Sequence, residues 1–425
     1  MLSLKPKADP GEVAISPHLT RGEGKKYQVV VAGSVALDLS CDFDTVLDET
    51  SSSQPQLHTS NPAIISQSLG GVGANVATAL HFLGVPARLC SVVSDDEAGS
   101  SVIRLLGDHG IMTSSLRKPD VGSRTAQYVA MNDLNKELFV AAADMEIMQA
   151  EVFRNQENDR RVEIMDWMSC KPRWTVVDAN WSSTMIDDWL QAARASGSKS
   201  AFEPVSVAKA RRIFGRVPIS RADKSMPVFP KHLIDVTTPN ALELRSMFDS
   251  ARAAGHFDQD NWFNVINGLE ISSASARDKF KALTNADLLS QGIPQQSVQL
   301  LPFVPCIVTT LGDSGVLITQ LLERNDERLT SEAAAPYLLP SPPRMSTVVG
   351  GIYMRLFPPP ERVPNDEIKS VNGVGDTFLG ALVAGLIDSP HRNIEDLIDF
   401  AQRCAILTLK SKEAVNPAIS VLKST

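Results

Sequence analysis

The stretch SVNGVGDTFLG, residues 370–380, packs two bare glycines, one carboxylate and the start of an apolar helix into a single short segment. Gly373 and Gly375 carry no Cβ, so successive backbone N–H groups can turn toward one anion. A helix opening near Thr377 adds the positive end of its dipole at the same spot. A carboxylate at the mouth of such a cradle, Asp376, is electrostatically unfavourable unless it moves a proton. The combination points to phosphoryl transfer onto a hydroxyl, with Asp376 as base. The same residues also fit a plain turn whose Asp caps a helix.

Four further segments place polar groups where such a reaction needs them. SLGGVGAN, residues 68–75, precedes a helix; Gly70 and Gly71 let a sugar ring approach the backbone, and Asn75 offers a donor and acceptors to a polyol. The segment lacks the third glycine of a dinucleotide fingerprint, and no acidic residue ends a second strand at the usual distance, which speaks against an oxidoreductase. GSVALD, residues 33–38, sets Asp38 just past a strand, where ligands bind in open α/β sheets. TPNALE, residues 238–243, puts Asn240 and Glu243 on one face of a helix start. Glu243 there suits a Mg²⁺-bound water, since Mg²⁺ keeps much of its hydration shell; a helix cap is the competing reading. TTLGDSG, residues 309–315, follows a buried strand and suits a nucleotide resting on backbone, or a tight hairpin.

These segments have to be positioned by strands and helices, and the pattern supplies an alternation of both. Apolar β-branched runs predict strands at 27–33, 88–93, 174–178, 200–203, 232–236, 306–310 and 315–318. Amphipathic stretches predict helices at 75–83, 98–107, 185–195, 241–248 and 378–387. The alternation implies a mostly parallel sheet covered on both faces by helices, the α/β class. Two segments break it: 39–68 is polar, and 125–131 with 137–142 reads as a hairpin, so the two form a small β lid over the strand ends. Residues 250–299 and 320–367 read as long polar or proline-rich insertions, with irregular loops expected across 336–364.

Composition narrows the classes further. Apolar residues make up 43% and charged ones 21%, as in an ordinary globular enzyme. The net charge of -8, with no basic block, argues against nucleic acid, and no apolar run reaches the length of a membrane span. Residues 1–25 lack the apolar core of a signal peptide and read as a disordered tail. The five cysteines form no C-x-x-C pair and the seven histidines show no ligand spacing, consistent with a cytoplasmic protein without its own metal site.

In order, Gly33…Asp38, Gly70-Gly71…Asn75, Asn240-x-x-Glu243, Thr310-Leu-Gly312…Gly315 and Gly373-Val-Gly-Asp376 resemble the PfkB (ribokinase-like) family of sugar and nucleoside kinases, across residues 26–420. The resemblance implies a ribokinase-like fold with a lid sheet and an ATP- and Mg²⁺-dependent kinase. It makes Asp376 the base and Gly373 to Gly375 the anion hole. It gives Asp38, Gly70, Gly71 and Asn75 the sugar, and Asn240 and Glu243 the Mg²⁺–phosphate region. Thr310, Gly312 and Gly315 fall to the nucleotide, while Gln402 and Ser411 fall where the family shapes its adenine pocket. Within the family, TAQYVAM (125–131), ADMEI (143–147) and FEPVS (202–206) resemble the pseudouridine kinase branch, which nominates Thr125 and Asp144 as substrate contacts. That branch implies a link to a pseudouridine-5′-phosphate glycosidase, with residues 1–25 as the remnant of a linker, and the family's lids leave a homodimer open. Another sugar or nucleoside kinase of the family, or a non-catalytic nucleoside-binding relative, remains the alternative. Members that use a monovalent cation commonly have Asp where Ser370 stands, so the resemblance does not carry that dependence over.

Overall fold

The computed structural model describes residues 27–43, 58–119, 122–133, 138–149, 157–215, 225–269, 273–342, 346 and 348–422. The expected tail at 1–25 lies outside them. Among the described residues ten strands form one sheet: β1 (Val29–Ala32), β4 (Ala87–Val92), β5 (Leu116–Arg117), β8 (Trp174–Asp178), β9 (Lys199–Glu203), β10 (Val236–Thr237), β11 (Cys306–Thr310), β12 (Val316–Glu323), β13 (Leu338–Pro340) and β14 (Val349–Phe357). Their order is β13-β14-β12-β11-β10-β9-β8-β1-β4-β5. From β11 to β5 the pairs run parallel; β12, β14 and β13 close that end antiparallel. The remaining strands, β2 (Ala36–Phe43), β3 (Ala63–Gly70), β6 (Gln127–Asn132) and β7 (Leu138–Asp144), form a separate sheet in the order β3-β2-β6-β7. This is the small β lid.

Among the described residues twelve helices accompany the main sheet: α1 (Val72–Phe82), α2 (Glu97–Asp108), α3 (Glu157–Trp167), α4 (Ser183–Ala195), α5 (Val207–Ala210), α6 (Ala241–Ala253), α7 (Asp260–Ile266), α8 (Ser273–Leu283), α9 (Ala286–Ser290), α10 (Ile293–Leu300), α11 (Val374–Asp388) and α12 (Ile398–Leu409). The alternation of β1 shows why helices sit on both faces. Val30 and Ala32 pack into one core with α4, α6 and α10, whereas Val29 and Val31 pack into another with α1, α2, α11 and α12.

Three expectations change. The strand expected at 232–236 shrinks to Val236–Thr237, because the Asp235 carboxylate accepts from the Ser200 N–H (2.8 Å) and takes the place of a ladder carbonyl. The proline-rich stretch 336–364 holds a nine-residue buried strand, β14, with prolines only at its flanks. The described part of 250–299 is mostly helical, and Trp262, Phe280, Leu288 and Val298 join the core instead of lying outside it.

A buried cation ties the β12–β14 edge to the helical layer. Arg328 donates to Asp326 (2.8 Å), Glu395 (2.9 Å) and Gln320 (3.0 Å), and its guanidinium lies 5.3 Å from the Tyr353 ring centre. Arg328→Ala strands Glu395 without a counter-charge. Urea unfolding is expected to register a loss of about 3–5 kcal/mol.

Candidate active site

All the polar motifs meet at one rim, where the parallel strands end. Asp376 is the third residue of α11 and is buried. Its Oδ2 accepts from Asn75 Nδ2 at 2.8 Å. Helix packing makes that bond possible. Asn75 and Ala79 share one face of α1, as Asp376 and Gly380 share one face of α11. A Cβ on Gly380 would lie 2.7 Å from the Ala79 Cβ, so only a glycine lets the helices approach this closely.

The start of α11 is left uncapped. Gly373 is its N-cap in the left-handed region (φ 71°), and no side chain caps the helix. The N–H groups of Val374, Gly375 and Asp376 therefore lack intrahelical partners. A Cβ on Gly373 would strike the Ala414 carbonyl at 1.9 Å, whereas one on Gly375 would meet nothing within 4 Å. Gly375 thus faces empty space of the kind an anion fills. It opens into a cavity of about 630 Å³ whose lining includes Thr310, Gly312, Gly315, Phe378, Gln402 and Leu409. Its two parts differ in character: unpaired N–H groups at one end, and the apolar α12 side chains Ala405, Ile406 and Leu409 along the wall.

Carboxylates crowd this rim. Burial pushes Asp376 up to about 7; the Asn75 bond works against this, and the charges of Asp178, Glu243 and Asp38 add to it. Burial alone pushes Asp38 up to about 7 as well. Glu203 is pushed well above its ordinary range by burial and by Asp376 and Glu243. A base near neutrality must be ionised to act, so activity measured as kcat/KM is expected to rise with pH through about 7 and level off above it. Stability runs the other way. The folded chain keeps protons that the unfolded chain has lost between about 4 and about 7, so this contribution is complete below that window and disappears as pH rises through about 7. Urea midpoints across that window check the sign.

The sequence nominees fall into four groups. Asp376, Gly373, Gly375, Asn75, Asp38, Gly70 and Gly71 converge. A Cβ on Gly70 would lie 2.0 Å from Asp38 Oδ1, and Gly71 (φ 95°) would bring one 2.6 Å from the Ser34 carbonyl. Thr310, Gly312, Gly315 and Gln402 line the cavity. Asn240 and Glu243 form a complete capping box: Asn240 Oδ1 accepts from the Glu243 N–H and Glu243 Oε2 from the Asn240 N–H, each at 2.9 Å. Glu243 Oε1 takes no part in the capping box. Among the described residues no cluster of three or more His, Cys, Asp or Glu side chains can hold a metal ion, so a Mg²⁺ here would rest on phosphates, water and Glu243.

Three nominees are corrected. Thr125 is fully buried; its hydroxyl donates to Asp96 (2.6 Å) and accepts from the Ser94 N–H (2.9 Å), so it pins the lid and does not line the cavity described above. Asp144 pairs with Gln127, which pairs with Leu37, and so occupies the lid face opposite Asp38, where it accepts from Arg124 (2.8 Å). Ser411 lies beyond Leu409, outside the cavity lining, its hydroxyl accepting from the Glu413 N–H (3.0 Å).

Sequence reasoning also missed residues. Asp178 accepts from the Ser34 N–H (2.7 Å), Ser34 Oγ (3.1 Å) and Asn180 N–H (2.9 Å). Ser34 Oγ also accepts from the Val72 N–H (3.1 Å) and Asn180 Nδ2 (2.8 Å). Lys209 donates to Asn180, completing a knot beneath the lid. The available signal was position: Asp178 and Glu203 each end a strand at the binding rim.

Comparison with known proteins places this geometry. Residues 28–260 and 357–420 match the model of the pfkB family carbohydrate kinases. The chain is 28% identical over 419 residues to the pseudouridine-metabolizing bifunctional protein of Schizosaccharomyces pombe, covering 98% of the chain and 50% of that protein. It therefore spans half the length of that relative. It is 25% identical over 394 residues to the pseudouridine kinase of Arabidopsis thaliana, covering 91% and 90%. In fold it is similar to the Arabidopsis thaliana ribokinase complexed with ribose and ATP (TM-score 0.57, 13% identity, 93% and 97% covered). It is also similar to the Burkholderia thailandensis nucleoside kinase in complex with inosine (TM-score 0.53, 15% identity, 92% and 95% covered).

Proposed function

The chain belongs to the pfkB family of carbohydrate kinases, and on that premise we propose that it phosphorylates the 5′-hydroxyl of pseudouridine with ATP, giving pseudouridine 5′-phosphate. As a member it is a phosphotransferase acting on a hydroxyl group. The observation that carries the reading is the junction of the two sites: the nucleotide-sized cavity ends at Gly375, and the next residue is the Asn75-held carboxylate. Similarity to two proteins named for pseudouridine supports the acceptor.

Asp38, the Gly70-Gly71 backbone and Asn75 hold the ribose, and ionised Asp376 accepts the 5′-hydroxyl proton. The free N–H groups at Val374 to Asp376 stabilise the charge on the transferred group. Thr310, Gly312, Gly315 and Gln402 seat the nucleotide, and Glu243 holds a metal-bound water. MgATP, when bound, supplies the phosphoryl group and neutralises part of its charge. Alignment and fixed dipoles supply the rest of the catalysis.

The lid turns Ile65, Met131 and Val140, all exposed, away from the face that carries Asp38, which supports a homodimer through that outer face. Five cysteines, none of them in a disulfide among the described residues, support a reducing compartment such as the cytoplasm. The product would feed a glycosidase acting on pseudouridine 5′-phosphate; a bifunctional relative of twice the length supports that link.

The test is ADP release over pseudouridine, uridine, adenosine and ribose, with the product's phosphate position read by NMR. Selective turnover of pseudouridine is expected. Preference for ribose would make it a sugar kinase, and nucleoside binding without ADP release a sensor.

A further inference from the structure

The lid register places an aromatic residue beside Asp38 that no motif nominated. Across the sheet, Ser68 of β3, Asp38 of β2, Tyr128 of β6 and Ala143 of β7 are successive partners, so their side chains share one face. The Asp38 carboxylate on this face lies against Gly70, where a Cβ would stand 2.0 Å from its Oδ1, so the face looks onto the rim at the start of α1. Around Tyr128 it is built of small residues. Ser40, Ser66, Ala130 and Ala141 form the next row outward. Ser66, Ser68, Ala141 and Ala143 are exposed, leaving an open shelf under the lid with one half-buried ring projecting from it.

We propose that Tyr128 is the residue that recognises the base of the nucleoside, its ring serving as a stacking platform and its hydroxyl facing the base edge. This rests on the reading that the acceptor is a nucleoside. Asp38 then grips the ribose hydroxyls, and Tyr128 sits one strand away, about 4.8 Å, the scale of a ribose ring. A planar base carried by that ribose comes to lie over Ala130 and Ala143 against the Tyr128 ring. No described residue hydrogen-bonds the Tyr128 hydroxyl, which leaves it available as donor or acceptor. Small neighbours matter as much as the ring: a larger side chain at Ala130 or Ala143 would fill the shelf.

Kinetics of Tyr128→Leu and Tyr128→Phe beside the wild type test this, with pseudouridine, uridine and ribose as acceptors and thermal melting as the control for folding. Tyr128→Leu, which keeps bulk but loses the aromatic plane, is expected to raise the nucleoside KM about tenfold or more. Its kcat, its KM for ATP and any turnover of ribose should stay near wild type. Tyr128→Phe should keep most of the affinity. An unchanged nucleoside KM in Tyr128→Leu overturns the assignment, and so does an equal loss with ribose. If the wild type prefers uridine and Tyr128→Leu weakens it, the assignment stands and pseudouridine falls. If only the bare sugar is phosphorylated, both fall.

Discussion

Asp376→Asn is expected to lower kcat by at least about a hundredfold while ATP binding is preserved. The amide keeps an oxygen for the Asn75 donor at the position where Oδ2 now accepts at 2.8 Å, so the helix start should hold its geometry. What is lost is the proton acceptor. The same change removes a buried group whose ionisation opposes folding, so above pH about 7 the inactive variant should melt later than the wild type. Below about pH 4 the difference should vanish, because both states of the wild-type residue are then protonated. Stopped-flow turnover, nucleotide titration and melting curves across that range check all three. A variant that turns over normally would remove Asp376 from the role of base.

The second large effect separates two glycines only one residue apart. Gly375→Ala adds a methyl group to open space, so the chain should fold as before. That methyl enters the volume assigned to the transferred phosphate, and losing even one anion-hole donor costs about 2.7–4 kcal/mol in the transition state. Turnover should therefore drop by about a hundredfold or more with little change in melting. Gly373→Ala is a different lesion. It forces an L-residue to φ 71° and drives a Cβ into the Ala414 carbonyl at 1.9 Å. Stability and activity should fall together. Melting temperature plotted against kcat for the pair distinguishes a blocked site from a broken one.

Much of this was legible from residue order because the relevant constraints are local. β-branched runs marked β1, β8 and β11, and the glycine spacing around Asp376 marked a helix start that needs an anion. The failures came where the deciding contact is remote. Nothing near Asp144 reveals which lid face it occupies; that parity follows from pairing with β2, about a hundred residues earlier in the chain. Thr125 was nominated as a contact, but Asp96, across a chain crossover, already holds its hydroxyl. Prolines at the flanks of β14 concealed a strand that is defined by burial against β12. Asp178 and Glu203 passed unnoticed because a strand-terminal acid looks the same in sequence whether it faces solvent or a site.

The knot at Ser34 fixes where the molecule can bend. With Ser34 bound to Asp178, Asn180 and Val72, the polypeptide leaving β1 is clamped until Val35. On this side of the lid, the backbone freedom that remains lies beyond Val35 and at Gly71, where φ is 95°. Asp38 and Tyr128, register partners across β2 and β6, keep one spacing within the lid sheet. Gripping the sugar and testing the base would then be a single act.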